Sequence, residues 1–167
     1  MSDTPVLVMG VSGSGKTTIG TNLALRLGAA FQDADDLHPP ANKQKMHDGI
    51  PLTDADREPW LLACAQWLAA QAGDGRPAVL ACSALKRHYR DRLRAAAPDL
   101  RIVYLDGDRE LLAARLGHRP GHFFNPVLLD SQLAELEVPG PDENSIALPI
   151  TLSPADLVDR ATTALTT

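Results

Sequence analysis

The sequence predicts an α/β fold in which a parallel sheet is covered by helices on both faces. Short continuous apolar runs, Val6-Leu7-Val8-Met9, Ala78-Val79-Leu80-Ala81 and Ile102-Val103-Tyr104-Leu105, recur along the chain. Unbroken rather than alternating apolarity is what a strand buried on both faces requires. The stretches between these runs have helical spacing, and strands separated by helices build parallel βαβ units with right-handed crossovers. A glycine-rich turn joins the first run to the first helical stretch.

The first strand is closed by Gly10. Ile19, Leu23, Leu25 and Leu27 set a helix over 17–27, with Gly28 positioned to end it. A second strand covers 30–32. Pro39 and Pro40 interrupt the chain, and a short helix over 42–47 stops near Gly49-Ile50-Pro51. Thr53 with Asp56 forms a looser capping box and opens a long helix that runs to about Gly73. Pro59 falls in its first turns, where a missing N–H costs least. The third strand lies within 77–82, followed by a basic amphipathic helix over 85–97. The fourth strand lies within 101–106, with helices over 108–116 and 126–136. A fifth strand over 145–150 and a helix capped by Ser153 complete the order. The chain of 167 residues shows no repeat or linker, so a single domain, 1–167, is expected.

Hydrophobic residues make up 44% and charged residues 22%, ordinary globular usage. A net charge of −5 repels a phosphate backbone, so no nucleic-acid partner is expected, although a local basic cluster can still bind an anion. No apolar run approaches the ~20 residues that span a bilayer, so no membrane partner is expected. With no leader-like segment at the start, the expected location is cytoplasmic. Cys64 and Cys82 are too few for a zinc site and read as buried, reduced thiols.

Gly10-Val11-Ser12-Gly13-Ser14-Gly15-Lys16-Thr17 matches G-x-x-x-x-G-K-[ST] in full, after a strand and at the start of a helix. Glycines let the backbone wrap phosphates, and the helix N-terminus, continuing through Thr18, offers free amides and a favourable dipole. Lys16 is expected to reach the β- and γ-phosphates, and the Thr17 hydroxyl to sit on Mg²⁺. The fold class expected is therefore a three-layer P-loop NTPase fold with a five-stranded parallel sheet. A P-loop specifies a nucleoside triphosphate but not the acceptor.

Asp33, Asp35 and Asp36 follow the second strand, where strand carboxyl ends face the ligand crevice. Asp35 is the candidate for orienting and deprotonating an acceptor hydroxyl and for binding metal; a solvated acidic turn is the alternative. Arg115 and Arg119 form a second basic cluster before Gly121-His122-Phe123-Phe124. Cations that close over a transferring phosphoryl group stabilise its charge, and a closing loop excludes water. A mobile lid over about 117–134 is expected, with Arg115 and Arg119 over ATP. Phe123 and Phe124 serve either as its latch or as core, and His122 touches substrate or is structural.

Several further segments carry a family resemblance: Asp35-Asp36-Leu37-His38-Pro39, Asn42, Lys45-Met46, Asp56-Arg57 and Pro59-Trp60-Leu61, then Cys82-Ser83-Ala84-Leu85-Lys86, Tyr89-Arg90-Asp91, Gly121-His122-Phe123-Phe124, Ser131-Gln132, Leu136-Glu137 and Glu143. With the P-loop, they make the chain resemble the bacterial gluconokinases over nearly its whole length. The resemblance implies a fold like that of shikimate and nucleoside monophosphate kinases, and use of ATP and Mg²⁺. It also implies phosphorylation of the terminal hydroxyl of gluconate, and a homodimer. Ala34 stands where relatives often carry Gly, which would matter if that position required positive φ.

Gluconate needs a cation for its carboxylate and a polar wall for its hydroxyls. Arg57 is expected to pair the carboxylate in a fork. Lys86, His38 and Ser83 are expected to contact hydroxyls, with Arg90 nearby; for each basic residue a plain surface charge is the alternative. A shikimate-type or other small-metabolite kinase would share the P-loop but lack the Leu-His-Pro and Cys-Ser-Ala-Leu-Lys segments. A non-enzymatic nucleotide-binding module would lack Asp35.

Overall fold

The structure is a computed structural model that describes residues 4–117 and 126–166. Five strands, β1 (Val6–Met9), β2 (Ala30–Asp33), β3 (Ala78–Ala81), β4 (Arg101–Asp106) and β5 (Ser145–Pro149), form one sheet in the order β2-β3-β1-β4-β5. All its pairings are parallel, with Val8 between Ala81 on one side and Val103 on the other.

The helices are α1 (Lys16–Leu27), α2 (Pro40–His47), α3 (Asp54–Gly73), α4 (Arg87–Ala96), α5 (Arg109–Gly117), α6 (Pro126–Glu135) and α7 (Pro154–Thr166). Successive residues of β1 serve opposite cores, because side chains alternate across a strand. Val6 and Val8 pack with Ile19 and Leu23 of α1 and Leu157 and Ala161 of α7. Leu7 and Met9 pack with Trp60, Cys64 and Leu68 of α3 and Tyr89 and Leu93 of α4. The three expected layers, two of helices and one of sheet, follow from this alternation.

The terminal signals act locally as the residues require. Gly28 ends α1 in the left-handed region, φ 65°, where its amide reaches back to the helix carbonyls. Thr53 and Asp56 exchange both bonds of the capping box at α3. Ser153 caps α7 by accepting from the Asp156 amide at 3.1 Å. Among the boundaries that differ from the sequence expectation, two bear on the site. β2 extends to Asp33, which places that carboxylate at the strand end beside Ala81. The fourth helix starts at Arg87 rather than 85, with Lys86 as its extended N-cap. Ala34 does not adopt positive φ; among non-glycine residues described, Ala84 and Asn144 do. Alanine at 34 is therefore compatible with the backbone, and its carbonyl accepts from Trp60 Nε1 at 2.8 Å.

Candidate active site

The turn after β1 curls back on itself and delivers the chain into α1. Gly13 (φ 86°) and Gly15 (φ 94°) adopt left-handed backbone. A Cβ at Gly13 would also lie 2.9 Å from Leu116 Cγ. Gly15 is the N-cap of α1 and supplies no side-chain cap, so the first-turn amides are left for an anion. Ser14 is fully buried, and its Oγ has no partner among the described residues. A cavity of about 470 Å³ opens over this turn, lined by 12–19 together with Asp33, Asp35, Arg115, Leu152, Pro154 and Leu157. Gly10 and Val11 do not line it. A Cβ on Gly10 would meet Ser14 Oγ at 2.5 Å, and the Val11 carbonyl accepts from Lys16 Nζ at 3.1 Å.

At the mouth, Thr17 Oγ1 donates to Asp33 Oδ2 at 2.7 Å. The other Asp33 oxygen accepts from the Asp35 amide at 2.9 Å. Asp33 thus ties the P-loop helix to the turn that carries Asp35. Sequence reasoning placed Asp33 in the acidic cluster but selected Asp35 alone; the extra residue of β2 is the signal that would have singled it out. The Arg115 guanidinium is held by the Ile150 carbonyl at 2.6 Å on the cavity wall.

A second cavity, of about 90 Å³, shares Ser12, Lys16 and Asp35 with the first. Its other walls include His38, Arg57, Trp60, Ser83 and Gln132. His38 is buried and stacks on the Trp60 indole, with centroids 4.3 Å apart and planes 11° apart. Burial, and then the charges of Arg57 and Lys43, lower its pKa to about 4, so it is neutral near pH 7. Gln132 was matched by sequence without a role. Its Oε1 accepts from the Ser12 amide at 2.7 Å and its Nε2 donates to Ser12 Oγ at 2.9 Å, joining α6 to the P-loop.

Arg57 is already engaged. Nη1 donates to Tyr89 Oη at 2.8 Å and Nη2 lies 2.8 Å from Glu135 Oε2. Tyr89 Oη in turn donates to Asp54. Lys86 donates to Asp54 at 3.0 Å and does not line either cavity. Tyr89 was matched by sequence without a role, and Glu135 had no sequence signal; each reaches Arg57 from a distant helix.

Arg90 requires a correction. It was expected to contact substrate, but its side chain is fully buried and lines neither cavity. Nε and Nη2 reach Glu143 at 2.8 and 3.1 Å, and Nη1 donates to the Ala84 and Leu85 carbonyls. It therefore braces the turn that carries Ser83, including the left-handed Ala84. A charge this deep persists because it is paired and fully bonded. Arg119, His122, Phe123 and Phe124, and with them the centre of the expected lid, lie outside the described residues. Residues 126–134 belong to α6.

Among the described residues no helix is long and apolar enough to cross a membrane, and no cluster of three or more His, Cys, Asp or Glu could hold a metal alone. Any Mg²⁺ would need the nucleotide's own oxygens, which is how this ion usually binds. Thr17, Asp33 and Asp35 bring hard oxygen atoms to the same cavity.

A family model described as an AAA domain matches residues 6–139. A gluconokinase of Gluconobacter oxydans is 57% identical over 138 residues, covering 83% of this chain and 78% of that protein. The unliganded structure of a sugar kinase from Janibacter superposes with a TM-score of 0.93 at 48% identity, covering 97% of this chain and 94% of that one. The structure of a gluconokinase from Sinorhizobium meliloti gives 0.90 at 45% identity, covering 98% and 91%. Identity at this level over most of both chains, on the same parallel sheet and P-loop, shows that the chain belongs to the gluconokinase family.

Proposed function

We propose that this enzyme transfers the γ-phosphoryl group of ATP to the terminal hydroxyl of D-gluconate, giving 6-phospho-D-gluconate. The observation that carries the reading is the junction of the two cavities: Lys16 and Asp35 line both. A phosphoryl group passing between a nucleotide in one and an alcohol in the other would cross between an ammonium and a carboxylate.

The chain's residues divide the work as follows. Amides of the P-loop, from Ser12 to Thr18, hold the phosphates, and Lys16 neutralises charge on the transferring oxygens. Arg115 adds charge on the nucleotide side, while Leu152, Pro154 and Leu157 offer apolar surface to the base. Arg119 and His122 belong to the same proposal as groups contributed by the segment after α5. Thr17 and Asp33 would hold Mg²⁺, which would supply charge neutralisation at the phosphates. That division leaves Asp35 to accept the proton of the attacking hydroxyl.

Arg57 receives the gluconate carboxylate, exchanging its contact with Glu135 for the substrate. His38 and Ser83 face the hydroxyls, and Lys86 flanks them. The family names support gluconate over shikimate or another small metabolite. The same reading takes the chain to be a cytoplasmic homodimer, which sedimentation would test.

Asp35→Asn tests the division of labour. The variant should lose about 10²–10⁴-fold in kcat while ATP affinity, followed by equilibrium binding, changes little. Near-normal kcat would return Asp35 to the role of a structural turn residue.

A further inference from the structure

The packing of Asn42 determines which nitrogen of His38 carries the proton. Asn42 lies on α2 and is 4% exposed. Its Nδ2 is 2.7 Å from the Asp56 carbonyl and 3.2 Å from His38 Nδ1. A backbone carbonyl only accepts, so the group facing Asp56 must be the NH₂ end of the amide. That end has two hydrogens. One goes to the carbonyl, and the other is aimed at His38 Nδ1. Nδ1 must then present its lone pair, and the single proton of the neutral ring sits on Nε2.

We propose that Asn42 is a positioning residue that locks His38 as the Nε2–H tautomer, so that the ring offers a hydrogen-bond donor, not a base, to a hydroxyl oxygen of the acceptor. This rests on the reading of the second cavity as the acceptor site.

Neighbouring groups hold the ring in place and keep it neutral. The Trp60 indole covers one face of the ring and is itself anchored on the Ala34 carbonyl, so the ring is held against rotation. Arg57 on α3 and Lys43 on α2 both disfavour a second proton on His38, and burial adds to their effect. Lys16 and Asp35 line the same cavity, and of an ammonium and a carboxylate only the carboxylate is a proton acceptor. A histidine beside an acceptor alcohol is an obvious candidate for general base. Here its basic nitrogen is occupied by Asn42, and the hydroxyl proton is directed to Asp35.

The tautomer can be read directly in the intact, histidine-¹⁵N-labelled protein by long-range ¹H–¹⁵N correlation, with His38 assigned from the resonance missing in His38→Gln. The expected pattern is a pyridine-like Nδ1 and a pyrrole-like Nε2. A protonated Nδ1, or an average of the two tautomers, would overturn the proposal. In Asn42→Asp a carboxylate would accept from Nδ1–H, so the pattern should invert. kcat/KM for gluconate should then fall about tenfold, the size of one lost hydrogen bond of about 1.4 kcal/mol, while KM for ATP moves less than twofold. In the His38→Gln background, whose amide offers an N–H regardless of position 42, Asn42→Asp should cost less than twofold more. An inverted tautomer with unchanged gluconate kinetics would also overturn it. The wild-type spectrum needs no variant, so the proposal remains testable if Asn42→Asp fails to fold. Absence of gluconate turnover by the wild type would instead sink the acceptor reading, whatever the spectrum.

Discussion

Replacing Lys16 by alanine should lower kcat/KM by about 10³-fold or more and leave the fold standing. Transfer of a phosphoryl group spreads negative charge over its oxygens, and the site's catalytic power is mostly preorganised positive charge. Lys16 is placed for that role by the backbone alone. It opens α1 directly after Gly15, and its Nζ is held against the Val11 carbonyl at 3.1 Å, on the floor shared by both cavities. A neutral methyl there removes the charge without opening the core, so stability should change by no more than about 0.5 kcal/mol. Steady-state kinetics and urea unfolding on the same preparation separate the two effects. Turnover within tenfold of wild type would remove Lys16 from the mechanism.

The largest effect on stability is expected from Glu143→Ala. Glu143 has 1% side-chain exposure and accepts from Arg90, from Arg94 and from the Gly140 amide. Truncation strands the fully buried Arg90 charge, which typically costs about 3–5 kcal/mol. The loss should reach the site as well, because Arg90 holds the Ala84 and Leu85 carbonyls beside Ser83. KM for gluconate should rise several-fold more than KM for ATP.

The pair also predicts an acid dependence. Burial alone would raise the Glu143 carboxyl, but bonds from Arg90, Gly140 and Arg94 outweigh it and lower the pKa from 4.5 to about 2. Its contribution is therefore complete above about pH 4.5 and lost as pH falls toward 2. His38 acts in the same direction at higher pH. Its lowered pKa means that the unfolded chain binds a proton the folded chain refuses, so stability declines from about pH 6.5 toward 4. Between pH 4.5 and 2 the stability gap between wild type and Glu143→Ala should narrow. A gap constant across that range would show that Glu143 is not held ionised by Arg90.

The parts of this fold that were legible are those whose cause is local. Val6–Met9 and Ala78–Ala81 are apolar without a break because both faces of a parallel sheet are covered, and that demand is written in adjacent residues. The P-loop, Gly28 and the Thr53–Asp56 box each act within a few positions of themselves. What escaped depends on partners far along the chain. Arg90 stands on a strongly basic helix and looks like surface charge, yet Glu143, 53 residues later, draws it inside. Arg57 reads as a free carboxylate receptor, whereas Tyr89 and Glu135 occupy it, 32 residues away in the first case. Asp33 gained its importance from one added residue of strand pairing, which puts its carboxylate on Thr17. The acceptor wall is thus less legible than the phosphate cradle, because it is assembled from α3, α6 and the turn after β3 rather than from one segment.

The most direct test of the account is to incubate the protein with ATP, Mg²⁺ and, separately, gluconate, shikimate, nucleoside monophosphates and hexoses, and to identify each product by ³¹P NMR. Turnover with gluconate should stand far above the others, and the product should be one phosphomonoester coupled to the protons of the terminal carbon. ADP release with another acceptor and none with gluconate, or a phosphate on a different oxygen, would contradict it.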